Sequence, residues 1–324
     1  MCALLLWLLL WRLRCAAETQ TGPTTPGVSS PLPSTRPEGT PPWETAGSKK
    51  WKVLSEPCGY RRAPARTVGS LDAEEGSWPW QGSLRLWGSH VCGASLLNHR
   101  WALTAARCFE LVRDPFPWSI RFGELTLVPS IWNLQAYQNR YQVEQVVLSP
   151  HYKGAIPYDI ALVKLSSSVT FGKNIYPVCV GKSTSESQTW TDCWVTGWGH
   201  IVESKELQQP YNLQEVEITI INTTTCSHMG NLTAFPNHVF GNPSCLGDPG
   251  GPLVCKVNSV WYQIGVVSWS MGCRRQGRPS YYSSIREHFQ WMQETISHSP
   301  PGTDPTVILL SLALLFVPLL RGLA

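Results

Sequence analysis

The sequence predicts an all-β protein, a barrel or sandwich of many short strands followed by one helix. Three observations predict it. From about Thr67 onward, short runs rich in Val, Ile and Leu are separated by turn residues. These runs continue over roughly 230 residues, more strand-like texture than a single small sheet needs. Only one stretch, near the C-terminal end, carries clear helical spacing.

Along the chain, Ala3 to Trp11 is an apolar run followed by Cys15-Ala16-Ala17, a small-residue site suited to signal peptidase. Residues 1–17 therefore read as a signal peptide, although Arg12 and Arg14 follow the apolar run instead of preceding it. The run falls short of the roughly 20 residues an uncleaved membrane anchor needs. Residues 18 to 56 are crowded with Thr, Ser, Pro and Gly, too poor in apolar side chains to offset the entropy of ordering them. With the residues up to Arg66 they form an expected stalk and pro-segment, open to O-glycosylation.

The strand-like runs differ in kind. Tyr141 to Leu148 alternates in part, which suits a half-buried strand, whereas Ile160 to Leu165 is more continuously apolar and suits a core strand. Near the end, Ile285, Phe289, Met292 and Ile296 recur at helical spacing, marking one packed helix. Beyond it, a polar stretch from Ser297 to Asp304 precedes Val307 to Leu320, which carries no charge. Small residues, a polar spacer and a terminal apolar tail match a GPI-attachment signal over 299–324. A short membrane tail or a disordered end remains the alternative.

Bulk composition bounds the function. The chain has 324 residues, 43% hydrophobic and 15% charged, with a net charge of +4 and no basic block. Nucleic acid is thus not an expected partner. Eleven cysteines without a CxxC pair read as a disulfide framework in an oxidising compartment. No cofactor and no metal site are expected. Asn222-Thr223-Thr224 and Asn231-Leu232-Thr233 are N-glycosylation sequons.

Several separated segments resemble the trypsin/chymotrypsin family of serine proteases. They include Arg66-Thr67-Val68-Gly69, Trp78-Pro79-Trp80-Gln81, Thr104-Ala105-Ala106-Arg107-Cys108 and Asp159-Ile160-Ala161-Leu162. Cys193-Trp194-Val195-Thr196-Gly197-Trp198-Gly199, Gly247-Asp248-Pro249-Gly250-Gly251-Pro252 and Val267-Ser268-Trp269 follow in family order. The wording around Asn212 to Val216 and the terminal tail resemble the testis serine proteases more loosely. The resemblance implies two six-stranded antiparallel Greek-key barrels of the chymotrypsin type with a C-terminal helix, over a domain spanning 67–298. It also implies disulfides Cys92–Cys108, Cys193–Cys255, Cys245–Cys273 and Cys58–Cys179, the last tying the pro-segment to the domain. Cys226 is left without a partner, because the family's second cysteine before the serine motif is absent.

The family's chemistry needs a hydroxyl nucleophile, an imidazole base, an orienting carboxylate and two backbone N–H groups for the oxyanion. The resemblance places Asp159 at the carboxylate, Arg107 at the histidine and Pro249 at the serine. A guanidinium stays protonated and cannot accept a proton, and proline supplies neither hydroxyl nor N–H. Loss of such a triad costs on the order of 10⁶ in rate, about 8 kcal/mol. In the specificity pocket, Pro243 stands where trypsin-like members carry an Asp, and Ser270 and Ser280 replace wall glycines.

These substitutions lead to the expectation that the chain is not an enzyme. It is instead read as a homologue, secreted or held at the cell surface by a lipid anchor, that binds a protein partner not identified by the sequence. The alternative is an enzyme with residual or unrelated hydrolytic chemistry in the same cleft. Asp159 is expected as a buried carboxylate paired with Arg107 or bonded by Ser268. His90 and His200 read as ordinary loop or surface histidines, and cleavage after Arg66 stays open.

Overall fold

The computed structural model describes residues 51–54, 57–61, 72–130, 132–154, 158–183, 190, 192–199, 207–221, 238–241, 248–270 and 280–299. All of them belong to the unit Thr45–Ala324. The first strand, β1 (Trp51–Val53), lies ahead of a closed barrel. That barrel is built from β2 (Gln81–Leu86), β3 (Ser89–Leu96), β4 (Trp101–Thr104), β5 (Trp118–Phe122), β6 (Arg140–Leu148) and β7 (Ala161–Leu165). Around it the strands run β2-β3-β4-β7-β6-β5, every pair antiparallel.

The strand textures explain this closure. All five residues of β7 are buried, including Lys164, whose ammonium is 3.0 Å from a Glu144 carboxylate oxygen. β6 buries Tyr141 and Val143 and exposes Glu144 between turns of the pleat. A strand covered on both faces reads as continuous apolar sequence, and a half-covered one alternates. A five-residue helix, α1 (Leu134–Gln138), leads into β6 and is capped by the Asn133 side chain, which accepts from Ala136 N–H.

After the barrel, β8 (Gly181–Ser183) returns to pair with β1. The second sheet comprises β9 (Cys193–Gly197), β10 (Gln214–Glu217), β11 (Ile220–Ile221), β12 (His238–Gly241), β13 (Pro252–Val257), β14 (Val260–Ser270) and β15 (Ser280–Ser284). Its order is β10-β9-β13-β14-β15-β12-β11. The two edge strands, β10 and β11, are joined by only Ile218 and Thr219, so the sheet must curl back toward itself. The fold is the all-β, chymotrypsin-type architecture expected. The second barrel differs in having seven strands and an open seam, because the break after Glu217 splits one strand in two.

The chain ends its described course in α2 (Ile285–His298), which buries Ile285, Phe289 and Met292 as their spacing requires. Cys58, ahead of the first barrel in the chain, is bonded to Cys179. Just after Cys58, the Arg61 guanidinium stacks 4.8 Å from the Trp78 ring and 4.5 Å from the Trp261 ring. Trp78 in turn donates its indole N–H to Glu215 at 2.6 Å, so this aromatic cluster has a satisfied polar edge.

Candidate active site at the junction of the barrels

β4 delivers the chain into a 3₁₀ turn, Ala106–Phe109, at the edge of the first barrel. Cys108 in this turn is bridged to Cys92 on β3, which fixes the turn against its neighbouring strand. Arg107 then meets Asp159 twice. Its backbone N–H donates to Oδ1 at 2.8 Å and its Nε–H to Oδ2 at 2.6 Å. Ser268, on β14 of the second barrel, adds its hydroxyl to Oδ2 at 2.8 Å.

Asp159 is fully buried, whereas the Arg107 side chain keeps 25% of its surface. A charge so placed needs close donors to offset its lost hydration. Three donors from two barrels meet that need, and a fourth bond, from Ser283 Oγ to the Asp159 carbonyl at 2.8 Å, holds the backbone beneath. Nearby, burial and then a hydrogen bond to Glu110 push the Tyr152 phenol above its usual pKa.

Pro249 lies beside the turn that carries Arg107, its carbonyl 3.9 Å from Cys108 Sγ. Its carbonyl accepts the Gly93 N–H at 2.9 Å, joining the barrels through backbone alone. Gly250 must follow it: φ is +85°, and a Cβ there would lie 2.1 Å from Thr104 Oγ1 and 2.5 Å from the Gly93 carbonyl. Gly251 N–H closes the turn on the Asp248 carbonyl at 2.9 Å.

Asp248 forms a second buried carboxylate, 6% exposed, accepting from Trp198 N–H at 2.8 Å. His90 Nε2 approaches the same oxygen to 3.2 Å, and His90 Nδ1 sits 2.9 Å from Ser83 Oγ. His90, expected as an ordinary surface or loop histidine, stands instead on β3 against Asp248. Ser83 and His90 stand on the two paired strands of one hairpin, which brings them within reach of each other.

Of the remaining sequence candidates, Cys193–Cys255 is joined. Ser280 is buried and pairs in register with Ser270. Pro243, Cys245, Cys273, Cys226, Asn222, Asn231, His200 and Gly247 lie outside the described residues.

The sequence that builds this site has close relatives among known proteins. The Trypsin family profile matches residues 67–292. The chain belongs to the trypsin family. It is 52% identical over 291 residues to human Testisin, covering 85% of this chain and 91% of that one. With human Serine protease 41 it shares 42% identity over 275 residues, 81% of this chain and 86% of the relative.

This kinship corrects one expectation. The reading that the chain is not an enzyme is overturned by the Trypsin domain and by 52% identity to Testisin across most of its length. That reading rested on two positions, Arg107 and Pro249. The family assignment rests on the profile match over residues 67–292 and on identity across most of the chain. As a trypsin-family member the chain is classed with the serine proteases. What its cleft presents is a guanidinium fixed on Asp159 beside a proline-containing turn.

Proposed function

We propose that this chain acts outside the cell by holding a segment of a partner protein in the cleft between its barrels. Any hydrolysis there runs by a route other than a histidine–serine relay. The observation that carries this reading is the Arg107–Asp159 pair, with the guanidinium Nε 2.6 Å from the carboxylate. A guanidinium presents donors and no acceptor, so it cannot serve as the general base. Pro249 offers neither hydroxyl nor N–H to the opposite side.

Export is supported by Cys58–Cys179, Cys92–Cys108 and Cys193–Cys255, bonds that persist in oxidising compartments. The proposed organisation is a signal peptide over 1–17, a stalk and pro-segment over 18–66, a protease domain over 67–298 and a GPI-attachment signal over 299–324. The tail lies outside the described residues, and among those described no helix is long and apolar enough to cross a membrane. Glycans on Asn222 and Asn231 complete the proposal.

The test uses the full chain on mammalian cells. Phosphatidylinositol-specific phospholipase C should release it, and the released protein should capture intact peptides from a tryptic digest of cell-surface proteins. Mass spectrometry reads both capture and cutting. Failure to retain any peptide would overturn the holding role. Cutting at a defined bond that a fluorophosphonate blocks would overturn the proposed departure from the serine route.

A further inference from the structure

The guanidinium in the cleft is only partly used. Arginine carries its N–H donors in a planar fork, and Arg107 commits Nε–H to Asp159 at 2.6 Å. Among the described residues, Nη1 and Nη2 donate to no acceptor, and the side chain keeps 25% of its surface. Asp159 does not call on them, because the Arg107 backbone N–H and Ser268 Oγ supply its other donors at 2.8 Å. The free edge is held in place from behind. A fully buried carboxylate fixes Nε, and the Cys92–Cys108 bond fixes the 3₁₀ turn that carries the side chain. A fork already oriented in this way loses little further freedom when it takes a ligand.

A carboxylate stands on the same face of that turn. Glu110 closes it by donating its N–H to the Arg107 carbonyl at 3.1 Å, and side chains three apart in a 3₁₀ turn eclipse. The two side chains nevertheless form no ion pair. Arg107 is drawn to Asp159, and Glu110 accepts from the Tyr152 hydroxyl. Tyr152 senses all of these groups at once. Burial, its bond to Glu110 and the charges of Asp159 and Glu110 raise its phenol pKa, against the charge of Arg107. A cationic edge is thus bordered by a negative charge that has its own anchor. Such an edge admits one carboxylate and repels a run of them.

We propose that the partner segment held in the cleft presents a single carboxylate to Arg107, which takes it through Nη1 and Nη2, while Glu110 turns away polyacidic segments. Paired N–H donors on a planar fork match the two oxygens of a carboxylate. The inference rests on the peptide-holding reading of the cleft and names the group by which the segment is held. An Asp or Glu side chain and a free C-terminus offer the same chemistry, and the test tells them apart.

The probe is a tryptic digest of cell-surface proteins, offered to the immobilised full chain before and after methyl esterification of its carboxyl groups. Esterification should cut the retained peptide by about tenfold. Synthetic copies of the retained peptides, labelled with fluorescein and followed by anisotropy, then assign the group. Loss of binding on Asp→Asn or Glu→Gln points to a side chain, and loss on C-terminal amidation points to the terminus. Capture unchanged by esterification, or binding of a copy with no carboxylate, would overturn the proposal and leave peptide holding intact. Retention of no peptide from either digest would overturn both. Arg107→Lys keeps a charge beside Asp159 without the fork, and should weaken binding of the copies by about tenfold. Its melting temperature, read alongside, separates lost binding from lost folding. Glu110→Gln should strengthen the binding of polyglutamate by about threefold and change that of the single-carboxylate copies less. Equal binding of every peptide by the original chain and both variants would also sink the assignment.

Discussion

Two buried carboxylates flank the junction of the barrels, and they are satisfied in different ways. Asp159 is fully covered and takes two donors from Arg107 and one from Ser268. Asp248, 6% exposed, takes one backbone N–H from Trp198 and the edge of His90. The first partner carries a permanent charge, while the second is charged only when its imidazole is protonated. One carboxylate is thereby locked across both barrels, and the other rests on a single backbone N–H with an imidazole edge 3.2 Å away. The lesson is that burial alone does not set a carboxylate's role; the kind of donor facing it does.

The largest test removes the support of the Asp159 side. Converting Cys92 and Cys108 together to Ala releases the 3₁₀ turn that carries Arg107, across a sequence separation of 16 residues. A loop of this size makes the bridge worth about 3 kcal/mol, readable as a shift in the urea midpoint. A loss under about 1 kcal/mol would mean that the turn is held mainly by its bonds to Asp159.

Next in size is Arg107→Ala. It leaves Asp159 buried with only Ser268 and a backbone N–H, and should cost about 2.5 kcal/mol, below the full value of a buried pair because Arg107 is partly exposed. Arg107→Lys keeps the charge but loses the planar fork, so it should fall between the two in chemical denaturation. If Lys proves as costly as Ala, geometry and not charge locks this carboxylate.

His90→Ala probes the other side. It removes the contact with Asp248 and the bond to Ser83, for an expected loss of about 1.5 kcal/mol. A cost matching that of Arg107→Ala would erase the contrast drawn between the two carboxylates.

The smallest effect is one of pH and belongs to the Asp159 side, where His288 packs edge-on against Tyr158. Burial lowers the His288 pKa below 6.5, outweighing its bond to the Ser284 carbonyl. As pH falls below 6.5 the unfolded chain takes up this proton first. His288 therefore contributes stability that is fully present above pH 6.5 and lost as pH drops through the lowered value. His288→Gln should flatten the fall in melting temperature between pH 7.5 and pH 5. An unchanged slope would place the acid sensitivity elsewhere.

The sequence by itself determined the all-β fold and the helix at its end, because side-chain periodicity is a local property that follows from 2.0- and 3.6-residue repeats. It also determined which residue types stand at Arg107, Asp159 and Pro249, and so which proton transfers they can make. Tertiary structure alone decided the seven-stranded second sheet, since where a strand breaks depends on its neighbours and not on its own propensity. It alone brought His90 to Asp248 across a separation no local pattern encodes. The free edge of the Arg107 guanidinium was equally invisible in the sequence. Asp159 and Tyr152 lie far along the chain from Arg107 and Glu110, and only the folded barrel sets each partner against its charge and keeps the two charges apart.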